Sequence, residues 1–472
     1  MKKLTIYIAA FLCFASCSDQ LNVTDPDSLS PELALSELSG FESVLSSAYN
    51  RVHAFGWMGQ NGILAPEVLA DNMDFANFTG RFELEYVNSV RAHMGRWNLY
   101  RGINDCNILL NKIDGIEDVE STDAETKKVL KGEGYFLRAL HFHELAKVYG
   151  YEPGQEVNSF NLTAPIRTTP TDGVSDALNV NARATNTEMY AQIKSDLDNA
   201  TSGLSGVENA NEPYRVGEAA AAALYARVLL FEGSYAQAAA KADEAMEKTS
   251  AVLTTVDNHL ESWSAVPHPE SIYEVEIRAT DWSTVDGVNS SVSSLTNNLE
   301  SGSQYILVPS AELIAAVDSE PGDIRSQLYE EEASLPAGSR KSNKWNGEQG
   351  DFRENIPVIR YAEMLLTAAE GYARSGNDAL ALERLNQLRE ARGLPASAAD
   401  GSALISLIMK ERRVELAVEG HRWFDLKRLG LNIPKSARSA QPTLNYTDFR
   451  ILPDLPVSEL NLNELLVQNP GY

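Results

Sequence analysis

Apolar residues recur at helical spacing along most of the chain. Phe41, Val44, Leu45, Ala48 and Tyr49 fall on one face of a first helix. Leu130, Tyr135, Leu137, Leu140, Phe142, Leu145 and Val148 mark a longer one over 126–148, which Tyr149-Gly150 closes as a glycine after the last turn should. The pattern returns more weakly over 187–204. Between 252 and 350 the texture changes: Gly, Ser, Asn and Asp become dense and helical periodicity fades. Within that stretch Ser271-Ile272-Tyr273-Glu274-Val275-Glu276-Ile277 alternates like a short strand.

Two segments resemble one another, 221–249 and 368–392. In each a helix ends at a glycine (Gly233, Gly376), a few residues turn the chain, and an alanine-rich helix returns. Small side chains let such antiparallel helices approach closely, which is the logic of the tetratricopeptide hairpin. The two units are far apart in sequence, so a simple superhelical array is not predicted. The expected fold is mainly α, with tetratricopeptide-like hairpins as scaffold and a loop-rich insertion over 252–350 carrying a small β-sheet.

The first residues are of another kind. Met1-Lys2-Lys3, an apolar run from Leu4 to Phe14, then Ala15-Ser16-Cys17 describe a secretory signal peptide. The run is well short of the ~20 residues that span a bilayer. The ending at Cys17 resembles a bacterial lipobox, whose thiol is acylated and becomes residue one. Residues 1–16 are therefore expected to be leader, 17–30 a lipidated cysteine and polar tether, and 31–472 one domain. Removing Cys13 with the leader and lipidating Cys17 leaves Cys106 alone, in a helical stretch that suits a buried small hydrophobe. The formal net charge of −26 argues against nucleic acid as a partner, since that surface selects clustered Lys and Arg.

Nothing in the pattern nominates an enzyme, a metal or a cofactor. His141 and His143 stand two apart on a predicted helix and so point to different sides, a poor metal pair. There is no glycine-rich phosphate loop at a strand–helix junction, no serine nucleophile elbow and no zinc-ligand spacing. Among 66 acidic residues no spacing singles out a glycosidase pair.

Several motifs occur in order: Cys17-Ser18-Asp19-Gln20, Phe136-Leu137-Arg138-Ala139-Leu140-His141-Phe142, Glu270-Ser271-Ile272-Tyr273-Glu274-Val275 and Pro309-Ser310-Ala311-Glu312-Leu313-Ile314. Asp323-Ile324-Arg325, Pro357-Val358-Ile359-Arg360-Tyr361-Ala362-Glu363, Glu411-Arg412-Arg413-Val414-Glu415-Leu416, Glu419-Gly420-His421-Arg422-Trp423-Phe424-Asp425-Leu426-Lys427-Arg428 and Asn469-Pro470-Gly471-Tyr472 follow. Together they resemble the SusD/RagB family of surface lipoproteins. The resemblance implies a glycan-binding lipoprotein on the outer face of the outer membrane, which passes oligosaccharides to a SusC-like TonB-dependent transporter. It also leaves open a peptide- or protein-binding module using the helical grooves.

Sugar recognition asks for flat aromatic faces and for amides or carboxylates that meet hydroxyls. Family relatives use loops near residue 70 for ligand contact, which points to Asp71, Asn72, Asp74 and Phe75, with Trp57 in the glycine-rich loop before them. The alternative is capping by Asp71 and Asn72 and core packing by Phe75 and Phe78. Trp282, in a loop of residues that do not bury well, is the other candidate, and Tyr305 is a further one. The acidity of the 67–78 stretch favours neutral sugars. Glu411, Glu415 and Glu419, spaced i, i+4, i+8, form a self-repelling stripe. Arg412, Arg413, Arg422 and Arg428 are the expected partners in a structural ion network. Trp97, Trp263, Trp345 and Trp423 are assigned to packing.

Overall fold

The fold is given by a computed structural model that describes residues 31–89, 94–207, 212–278, 280–281, 284–332, 339–350 and 352–472. The leader, Cys17, the tether and Trp282 lie outside the described residues. The main helices are α1 (Leu38–His53), α2 (Asn61–Leu69), α3 (Tyr100–Lys112), α4 (Asp123–Tyr149), α5 (Asn186–Leu204), α6 (Glu218–Glu232) and α7 (Tyr235–Lys248). They continue with α8 (Ala311–Val317), α9 (Tyr361–Arg374), α10 (Asp378–Ala391), α11 (Gly401–Glu415) and α12 (Arg422–Lys427).

Helices α4, α5, α6, α7, α9 and α10 pack each on the next, and α1 and α3 cover the α4 end. The hairpins α6–α7 and α9–α10, more than a hundred residues apart in sequence, are thus neighbours in one row, consistent with tetratricopeptide-like stacking. The contact of α7 with α9 rests on Gly371: a Cβ there would stand 2.5 Å from the Tyr235 carbonyl oxygen and 2.9 Å from Ala239 Cβ. Gly150 ends α4 with extended rather than left-handed backbone. Its glycine is required by room, because a Cβ would meet Thr163 Cγ2 at 2.6 Å.

Six short strands pair in twos, all antiparallel: β1 (Met73–Phe75) with β3 (Leu307–Pro309), β2 (Ser271–Val275) with β6 (Ile356–Arg360), and β4 (Tyr329–Glu331) with β5 (Arg340–Ser342). Of these pairs, only β4–β5 lies wholly within the insertion. β3 returns to the N-terminal third, and β2 finds its partner in β6, beyond the insertion. All five residues of β2 are buried, so its alternation marks two covered faces rather than one wet face. Cys106 is buried within α3. No described helix is long and apolar enough to cross a membrane.

Candidate functional site

Helix α2 runs into β1, and this junction carries the acidic and aromatic residues singled out in the sequence. All of them but Phe78 are buried, so the expectation that Phe78 packs in the core is not met. Asp71 pairs with Arg422 at 2.7 Å and Arg413 at 3.0 Å, and Asn72 donates to Glu67 while accepting from Arg413. Asp74 accepts from the Tyr86 hydroxyl at 2.6 Å and from Ser436. Phe75 packs between Phe78 and Tyr86, with ring centroids at 4.7 and 4.9 Å. Trp57 lies edge-on to His141, and Tyr305 is buried with φ +44°. The expectation of ligand contact at Trp57, Asp71, Asn72, Asp74, Phe75 and Tyr305 is corrected accordingly. Arg413, Arg422 and Ser436, which hold Asp71, Asn72 and Asp74 beside the β1–β3 pair, come from more than 340 positions away.

Three segments of chain meet beside the β1–β3 pair, 54–60, 76–83 and the partly helical 284–305. Phe78 emerges from β1 at 69% exposure, and Phe55, at the end of α1, is 41% exposed. Arg81 donates to the Asn289 carbonyl and the Gln60 side-chain oxygen, both at 2.7 Å, and to Gln304 at 3.2 Å. Gln60 donates to the Asn289 and Ser290 carbonyls, and Gln304 donates to the Asn289 side chain. Asn77 donates to the Tyr305 carbonyl at 2.9 Å. Segments 54–60, 76–83 and 284–305, the last carrying short helices over Thr284–Ser290 and Val292–Thr296, are thereby stitched together, with Phe55 and Phe78 exposed on them. Asp281 is close enough to His53, at the end of α1, to act on it electrostatically. The turn signal Thr79-Gly80 is the sequence cue for this loop, since it stops β1 and leaves Phe78 outside.

The carboxylate stripe is a buried ionic lattice whose cations differ from those expected. Helix α11 ends at Glu415, so Glu419 follows the helix instead of continuing it. Glu411 is bound by Arg325 and Arg389. Glu415 is bound by Arg392 at 2.8 Å and by Arg360 and Arg325 at 3.3 Å. Glu419 takes Arg360 and Lys344, and Arg360 and Arg392 both reach Glu270. Burial works against ionising Glu415, yet Arg392, Arg360 and Arg325 outweigh it and hold its carboxyl well below the ordinary range. The expected arginines pair elsewhere: Arg412 with Asp425, Arg428 with Glu370 and Asp425, and Arg413 and Arg422 with Asp71. Side chains i+1 from the stripe point off its face, which leaves the carboxylates to arginines from other elements. Trp263 and Trp345 are buried beside the lattice, edge to face at 5.5 Å.

His141 and His143 are buried, which lowers the imidazole of His141 to about 4. Among the described residues no group of three or more His, Cys, Asp or Glu side chains is placed to hold a metal ion.

Two family models match the chain: one described as SusD family over residues 337–472, the other as starch-binding associating with outer membrane over residues 35–230. SusD-like protein P2 of Formosa agariphila is 24% identical over the whole of both chains. SusD-like protein P38 of the same organism is 38% identical over 128 residues, a match spanning only 25% of its length and 25% of this chain. Among solved structures, a SusD superfamily protein of Bacteroides thetaiotaomicron superposes with a TM-score of 0.81 at 25% identity, covering 92% of this chain and 99% of that one. A SusD-like carbohydrate binding protein of Bacteroides vulgatus superposes at 0.76 with 20% identity, covering 91% and 97%, and so shares the fold. Two family models of this kind over separate parts of the chain, and this fold over nine-tenths of its length, support the SusD/RagB family.

Proposed function

We propose that the protein is a cell-surface lipoprotein of the outer membrane, anchored through Cys17. It captures oligosaccharides without covalent chemistry and delivers them to a SusC-like TonB-dependent transporter. The observation that carries this reading is the face formed by Phe55, Phe78, Arg81, Asn289 and Gln304. Phenyl rings offer apolar platforms to the C–H faces of a sugar ring, and the amides and guanidinium beside them match its hydroxyls. Support for the saccharide comes from the family model described as starch-binding, and from the B. vulgatus carbohydrate binding protein that shares the fold. Two or more lipid chains on one cysteine would anchor the body firmly, where a single chain gives only marginal residence.

A second reading, capture of a peptide, is favoured by one feature. A groove of about 1110 Å³ between α3, the 165–181 loop and the 456–466 segment is lined by Leu178, Leu462 and Leu465, all exposed. Aliphatic side chains at such exposure suit a polypeptide better than a sugar.

A native-gel screen with polysaccharides cast into the gel separates the readings. Retardation by a neutral glycan, with the glycan's chain length unchanged on incubation, supports the proposal. Shortened products would make the protein a hydrolase, and retention by peptides alone would establish the second reading.

A further inference from the structure

The groove between α3, the 165–181 segment and the 456–466 segment combines three features. Both of its walls carry exposed leucine: Leu178 on one side is 76% exposed, and Leu462 on the other is 77% exposed. The same walls carry opposite charges, Arg101 and Arg167 on the first, Glu459 and Glu464 on the second. Among the described residues none of these four is in an ion pair, and Arg167 turns its terminal nitrogens to the Asn179 and Asp176 carbonyls, both at 2.7 Å. The third feature is a ridge beside the trough. The short helix Val457–Leu462 forms part of the second wall and buries none of its six residues, with Val457 65% exposed. That ridge is fixed in place: Gln468 bonds the Leu455 N–H at 2.8 Å and its carbonyl at 3.2 Å, and Asn463 donates to the Asn181 carbonyl at 2.9 Å.

We propose that a second copy of this chain covers the groove in a two-fold dimer, the Val457–Leu462 helix of each copy lying in the groove of the other. A two-fold interface needs a patch that complements itself. Here trough adjoins ridge and a basic wall faces an acidic one. A two-fold rotation therefore sets ridge into trough, and sets Arg101 and Arg167 of one copy against Glu459 and Glu464 of the other. The leucines are covered in the same step. The sizes agree: a helix of six residues is about 9 Å long and 10 Å across, or about 700 Å³, and the groove holds about 1110 Å³. Charge selects the same patch. Two chains of net charge −26 repel, so contact belongs where the charges balance, and the two arginines and two glutamates lining this groove sum to zero. The dimer depends neither on the Cys17 anchor nor on the proposed glycan face, so its test is independent of both.

The test is sedimentation velocity of the full chain carrying Cys17→Ser, so that no acyl chain drives association, over roughly 1–100 µM. The expected result is a monomer–dimer equilibrium whose dissociation constant rises about tenfold or more in Leu462→Glu. Arg101→Glu, and the double variant Glu459→Arg with Glu464→Arg, should each associate as weakly, because each copy then meets its own charge. Mixed one to one, these two variants should dimerise again, since each presents the charge the other needs. The substituted side chains are exposed or half-buried, and melting temperatures equal to the parent's check that the variants fold. A monomer at every concentration would overturn the proposal and leave the groove to a peptide. A dimer that every variant retains would overturn it too, by placing the interface elsewhere. Charge variants that stay monomeric on mixing would overturn the two-fold arrangement.

Discussion

Glu415 shows how a residue readable as a charge in the sequence becomes a keystone in the fold. Its two oxygens accept from Arg392, Arg360 and Arg325, and all four side chains are buried. A Glu415→Gln variant keeps the shape and removes the charge, leaving three guanidiniums short of a carboxylate. Breaking one partner out of a buried pair costs about 3–5 kcal/mol. Urea unfolding should register a loss of that size, and a loss under about 1 kcal/mol would mean the lattice redistributes its contacts. The stripe was legible in the sequence because carboxylates four apart must find cations. Which cations was not, since Arg325, Arg360, Arg389 and Arg392 arrive from other elements. Asp71, Asn72 and Asp74 failed as ligand candidates for the same reason: Arg413, Arg422 and Ser436, which occupy them, stand more than 340 positions away.

At the scale of elements, periodicity located α1, α4, α5 and both hairpins, because each buries a stripe against its neighbour. It did not place the hairpins side by side, since the contact depends on Gly371, one residue with no periodic signature. A Gly371→Ala variant must move α9 off α7 or strain both, at a cost of about 1–3 kcal/mol, the usual penalty for overfilling a packed contact. Thermal melting should show the loss, while a helical circular dichroism spectrum unchanged at low temperature would show that the row still forms. Strand β2 was visible as alternation, but its partner was not, because register with β6 is set by tertiary packing.

For the molecule as a whole, acid is the expected route to unfolding. The Glu363 carboxyl is buried, which opposes ionisation, but Arg227 and its neighbours bring it to about 2 against an ordinary value of 4.5. In the unfolded chain it takes up a proton near 4.5, and in the fold only near 2. Its contribution to stability is therefore complete above about 4.5 and is lost as pH falls from there toward 2. Glu415 acts in the same direction. Urea midpoints measured at pH 7, 4 and 3 should fall in that order, and a flat series would contradict the lattice's role. The overall class and the family motifs were legible from residues alone. The proposed binding face was not, because it exists only where segments 54–60, 76–83 and 284–305 meet. Phe78 is the residue on which that face turns, and burying a phenyl ring against a ligand contributes about 1.5–3 kcal/mol. The most direct measurement is calorimetry of the full-length protein and its Phe78→Ala variant with a neutral oligosaccharide that the native gel retains. The account predicts roughly 10- to 150-fold weaker binding by the variant, at an unchanged melting temperature. Equal affinity in the two proteins would contradict it.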